Sequence, residues 1–194
     1  MNNSDLRRIL LAHVALILLI VLSFYFDAEI VSLIPFLRNE ILTSFFMGIT
    51  FVSSILIIFL FLTLLFIKEK KRKFLVPLWA SLFFSTLIGF ILKISISRLR
   101  PYQQDLISVV SGAVESSHVI WNYSFPSFQA MMVFSAIPFL SKEFPRFKYV
   151  WIVFACLVAF SRVYLGVHFL SDVITGAFLG YLIGYFFLRL KEKK

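Results

Sequence analysis

The stretch "SRVYLGVHFLSD", Ser161 to Asp172, carries an arginine, a histidine and an aspartate in one short run. His168 and Asp172 stand four apart. That spacing lets a carboxylate take the proton of one imidazole nitrogen and hold the other toward a substrate. A buried histidine–aspartate pair can be merely structural, but Arg162 just upstream, on the same membrane face, favours chemistry. Further back, Lys93 lies within an apolar run and Arg100 precedes Pro101. A charge at such depth costs about 2.5–3.5 kcal/mol. On a continuous helix, i and i+7 share a face, so Lys93 and Arg100 would point at one spot. The competing reading makes Arg98 and Arg100 interfacial anchors and lets Lys93 snorkel. Between these groups, "SFPSFQ" opens another apolar run at Pro126 and Ser127. A proline and a capping serine commonly start a helix, and a helix N-terminus also offers backbone N–H groups to an anion. Three cations, a helix N-terminus and an imidazole together suit a phosphate group.

The elements that must position these residues are membrane spans. The chain has 194 residues, 60% of them hydrophobic, with 25 phenylalanines and a mean hydropathy of +0.94. A soluble domain could not hide that much apolar surface. Six apolar segments, about 9–26, 43–67, 74–97, 126–141, 147–165 and 169–190, predict an all-α integral membrane protein, one six-span bundle over residues 1–194. The fourth segment is short for a span. Arg7 and Arg8 before the first could mark a signal peptide, but no small-residue cleavage site follows "SFYFDAEI", which predicts an uncleaved span.

The net charge of +9 does not point to nucleic acid, because the basic residues sit in short clusters between apolar runs. Most of the 19 lysines and arginines fall at the N-terminus, in "KEKKRK", around Lys142–Lys148 and in the tail. With six spans these clusters share one side, which the positive-inside rule makes cytoplasmic, with both termini inside. The Lys93–Arg100, Ser127 and Arg162–Asp172 groups then meet on the extracytoplasmic face. Cys156, alone in an apolar run, is expected in the core and excludes a disulfide framework or a cysteine metal site. Trp121 and Tyr123 suit the outer interface, and His13 is expected to hydrogen-bond within the bundle. Gly176, Gly180 and Gly184 let another helix approach closely, within one chain or in a homodimer.

The spacing Lys93–Arg100–Pro101, then Pro126–Ser127, then Ser161–Arg162–His168–Asp172 resembles the type 2 phosphatidic acid phosphatase family, whose phosphate site is shared with vanadium haloperoxidases. The resemblance implies a metal-independent phosphatase without cofactor, acting on a phospholipid or polyprenyl phosphate. By it, His168 is the nucleophile, forming a phosphohistidine, and Asp172 orients it. Lys93, Arg100, Arg162, Ser127 and the backbone of Phe128 bind the phosphoryl oxygens.

The family's second motif is proline–serine–glycine–histidine, and its histidine protonates the leaving group. Here Phe128 and Gln129 stand instead. Glutamine matches imidazole in space but releases no proton near neutral pH. General acid catalysis contributes typically about 10²–10⁴ in rate. Gln129 therefore narrows the substrates toward activated phosphates or cripples turnover. Two other readings stay open: that it was introduced in place of histidine, or that His118, beside Glu115 in the outer loop, rescues it. A catalytically silent relative that binds or moves a phospholipid is the rival to an enzyme.

Overall fold

The computed structural model describes residues 3–113 and 123–193. Glu115, His118 and Trp121, with the expectations attached to them, lie outside the described residues, as does the side chain of His13. Among the described residues eight α-helices follow one another: α1 (Asn3–Tyr25), α2 (Asp27–Leu33), α3 (Glu40–Val52), α4 (Ile55–Lys68), α5 (Leu75–Ile96), α6 (Phe128–Glu143), α7 (Lys148–Tyr164) and α8 (Leu170–Glu192). No strand occurs among the described residues.

The six apolar segments all become helical, but they do not give six straight spans. Among the described residues, segments containing α5, α7 and α8 are long and apolar enough to cross a membrane, and two bent pairs raise the number to at most five. The first pair turns by 66° between α1 and α2, and the second by 62° between α3 and α4. α6, at 16 residues, is not among them. Its surroundings explain why it can be short. From Ala130 to Leu140 nearly all its side chains are buried, enclosed by neighbouring helices rather than lipid. The outer helices instead expose large apolar residues such as Leu56, Phe83 and Val153. That pattern is what lipid as solvent permits. The chain is an integral membrane protein.

Close approach of α8 to α6 sets the centre of the bundle. A Cβ built at Gly176, Gly180 or Gly184 would run into the backbone carbonyls of Ser127, Met131 and Ser135 respectively. The glycine stripe is therefore covered by α6 of the same chain, and is not the face through which a second copy would dock. Cys156 also departs from expectation. It is exposed on the lipid side of α7, while its neighbour Ala155 faces the core.

Helix direction sorts the charges. α6 and α8 both start beside His168 and run away from it to Glu143 and Glu192. At that far end Lys71 pairs with Glu143 at 2.8 Å and Lys142 with Glu192. The α4–α5 loop, the α6–α7 loop and the tail are thus gathered at the end of the bundle opposite the histidine.

Candidate active site

α7 ends at Tyr164, and Gly166 (φ +79°) reverses the chain in a conformation that favours glycine. The Val167 and His168 N–H groups both donate to the Arg162 carbonyl at 3.2 Å, which folds the turn back on the helix end. His168 stands before α8, 4% exposed, and Asp172 is buried in the first turn of that helix. The two are therefore not a pair on one helical face. His168 Nδ1 lies 3.6 Å from Asp172 Oδ2, a close approach longer than a hydrogen bond. The same Oδ2 accepts the Phe169 N–H at 2.8 Å.

The first motif is assembled by a turn as well. α5 stops at Ile96, and Ser97 takes a left-handed conformation (φ 50°). Arg100 reaches the site on extended backbone, not on the face of a continued helix, and its guanidinium donates to the Val167 carbonyl at 2.9 Å. Lys93, 1% exposed, donates to the Tyr123 carbonyl and sits 4.9 Å from the centre of the Phe128 ring. It does not snorkel. Lys93, Arg100 and Arg162 are near enough for all three charges to bear on His168. Burial first, then these three cations, hold the imidazole well below its ordinary range, although the Ser124 backbone works the other way. Both influences favour the neutral form of the imidazole.

Ser127 precedes α6, but its side chain makes no capping hydrogen bond. Its N–H donates to the Asp172 carbonyl at 3.1 Å, which joins the starts of α6 and α8. Ser127 Oγ and Arg162 Nε are buried without a partner among the described residues. Such groups are costly unless something polar meets them, and here both lie in the cluster the motifs define.

The substituted motif has its own packing. The Phe128 ring lies over Gly89 of α5, where an added Cβ would fall 2.6 Å from a ring carbon. Gln129 Nε2 donates to the Thr50 carbonyl at 3.1 Å and to the Ser53 carbonyl and hydroxyl at 3.3 Å. These groups lie at the end of α3, where the second span breaks, and the Thr50 carbonyl also accepts from the Ser53 hydroxyl at 3.1 Å. Thr50 Oγ1 also accepts from Arg162 at 3.2 Å and lies 3.1 Å from the Ser161 hydroxyl.

Sequence reasoning missed Asp27, Arg98 and Thr50. Arg98 is no interfacial anchor. It bridges Asp27 at 2.7 Å and Asp172 at 2.8 Å. An acid directly after an apolar run, as in "SFYFDAEI", was the available signal for Asp27. For Thr50 there was none.

With this geometry in place, comparison with known proteins is direct. The profile of the PAP2 superfamily matches residues 74–194. The chain belongs to that superfamily. An undecaprenyl-diphosphatase of Sulfolobus acidocaldarius is 30% identical over 130 residues, covering 66% of this chain and 61% of that one. A phosphatidylglycerophosphatase B of Bacillus subtilis is 36% identical over 107 residues, 55% of this chain and 53% of the relative. The aligned part thus spans less than two thirds of either relative. The crystal structure of a transmembrane PAP2 type phosphatidylglycerolphosphate phosphatase from Bacillus subtilis superposes with a TM-score of 0.69 at 26% identity, over 93% of this chain and 96% of the other.

Proposed function

We propose that this protein is a membrane phosphatase that hydrolyses a lipid phosphate or diphosphate through a phosphohistidine on His168. The observation that carries the reading is the convergence of Lys93, Arg100 and Arg162 on the buried His168 imidazole, with Asp172 3.6 Å behind it. His168 Nε2 attacks phosphorus, and the bond to the leaving oxygen breaks with its electron pair going to that oxygen. The three cations, Ser127 and the start of α6 neutralise the phosphoryl oxygens as charge builds. Water then attacks the phosphohistidine, releasing phosphate and restoring the imidazole. No metal has a role in this sequence of steps.

Gln129 supplies no proton to the leaving group, which favours substrates that leave as weak bases. Lipid diphosphates and sugar 1-phosphates, as in undecaprenyl diphosphate or lipid A, therefore rank above alkyl monoesters such as phosphatidylglycerophosphate or phosphatidic acid. The engagement of the Gln129 amide by α3 favours one second reading, a silent relative that binds a phospholipid. By the positive-inside rule the basic end is cytoplasmic and the His168 end extracytoplasmic.

Purified protein assayed on a panel of lipid phosphates and diphosphates tests the reading. Release of phosphate that survives EDTA, vanishes in His168→Ala and falls sharply in Asp172→Asn supports it. No release from any substrate, with the fold intact, supports the silent binder.

A further inference from the structure

The corner between α1 and α2 lies outside the region matched by the family profile, yet its first residue reaches the site. Asp27 is 3% exposed. One of its oxygens accepts the Ser171 N–H at 3.0 Å, and the other meets the Ser171 hydroxyl and, at 2.7 Å, Arg98. Arg98 uses its other terminal nitrogen to bind Asp172 Oδ1 at 2.8 Å and Ser171 Oγ at 2.7 Å. Its guanidinium lies over the Phe169 ring, 4.0 Å from the ring centre, and 5.2 Å from that of Phe24 of α1.

From this geometry we infer that Asp27 is a positioning residue, which through Arg98 sets the place and charge balance of the Asp172 carboxylate behind His168. The inference rests on the reading of His168 as the attacking residue. Two carboxylates share one guanidinium, so the trio is formally anionic, and its Asp172 Oδ2 lies 3.6 Å from the His168 ring. That charge suits a ring that becomes cationic when its Nε2 binds phosphorus. If Asp27 were neutral, Arg98 would have Asp172 as its only anionic partner among the described residues and would compete with the histidine for it. A purely structural network would dock α1 on α8 and do nothing to His168. The two roles therefore separate by experiment.

The full-length protein in detergent is compared as parent, Asp27→Asn and Asp27→Glu. Turnover of a short-chain prenyl diphosphate is measured together with thermal midpoints. His168 ring nitrogens are followed by NMR on ¹⁵N-histidine-labelled protein, their signals assigned by their loss in His168→Gln. Asp27→Asn should lower kcat about tenfold to a hundredfold, the range seen when groups that orient a catalytic ligand are changed. KM should stay within about threefold, the His168 ring signals should move, and Asp27→Glu should recover most of the turnover. Unmoved His168 signals in Asp27→Asn overturn the inference. So does a loss of kcat shared by both variants in proportion to lost folded protein. A parent that turns over nothing sinks the phosphatase reading instead, and the NMR comparison still decides the role of Asp27.

Discussion

Gln129 and Thr50 are joined across the bundle: the glutamine amide at the start of α6 donates to the Thr50 carbonyl at the end of α3. Both carbonyls it meets can only accept, so its N–H groups face the break in the second span. The residue at the general-acid position of the family motif is thus a clamp between helices in this chain. Its side chain bridges to Thr50, and Thr50 bridges to Arg162.

Replacing that clamp should trade stability for chemistry. Gln129→His should raise turnover of alkyl phosphates by up to the ~10²–10⁴ expected of a general acid, and of aryl phosphates far less. One imidazole N–H cannot serve two carbonyls, so the variant should lose about 0.5–1.5 kcal/mol for each hydrogen bond left unmade. Rates on paired alkyl and aryl substrates, with thermal midpoints in detergent, check both halves. Equal gains on the two substrates would contradict the leaving-group argument.

Phe128→Gly, the change that would restore the glycine of the family motif, should be harmful by itself. The ring fills the space over Gly89 and underlies Lys93. Its removal should cost about 3–5 kcal/mol, as for other buried Phe truncations. Thermal unfolding of the single variant measures this, and an unchanged midpoint would show that the space closes without it.

Two glycines on different helices should respond in opposite ways to one methyl group. At Gly180 an added Cβ meets the Met131 backbone, whereas at Gly48 nothing lies within 4 Å. Gly180→Ala should destabilise by about 1–3 kcal/mol through overpacking. Gly48→Ala should be neutral or stabilising by up to about 1 kcal/mol through helix propensity. The comparison of midpoints is internal, which removes the effect of the detergent.

Stability should fall in mild acid on account of His168. Its folded pKa lies well below the ordinary 6.5, through burial and then the charges of Arg100, Lys93 and Arg162. Below pH 6.5 the unfolded state binds a proton that the folded state refuses, so stability rises with pH in that window. It is at its full value above pH 6.5 and declines as pH drops toward the folded pKa. His168→Gln should flatten this part of the profile, measured as midpoint against pH.

The basic end and the histidine end should label from opposite sides. With Cys156 replaced by alanine, because it is exposed, single cysteines at Lys70 and at Ser117, a position outside the described residues, should differ in reactivity toward an impermeant reagent in intact cells. Reaction at Ser117 alone is the expected outcome. Equal reaction at both would overturn the assigned orientation.

Much of this molecule was legible along the chain because the relevant signals are local. Apolar runs gave the membrane class and the helical segments, since each helix in lipid must satisfy its own backbone. Residue types and spacing gave Lys93, Arg100, Ser127, Arg162, His168 and Asp172, all of which the fold gathers around the starts of α6 and α8. What the tertiary structure decided are contacts between residues distant in sequence. Asp27 meets Ser171, Thr50 meets Gln129 and Arg162, and the glycines of α8 meet α6. The left-handed residue at Ser97 broke the helical register that a periodic pattern had projected onto Arg100. The same turn brought Arg98 inward between two carboxylates. A sequence pattern reports which face of one helix is apolar. It carries no information on which other element covers that face, because that depends on how all the helices pack at once.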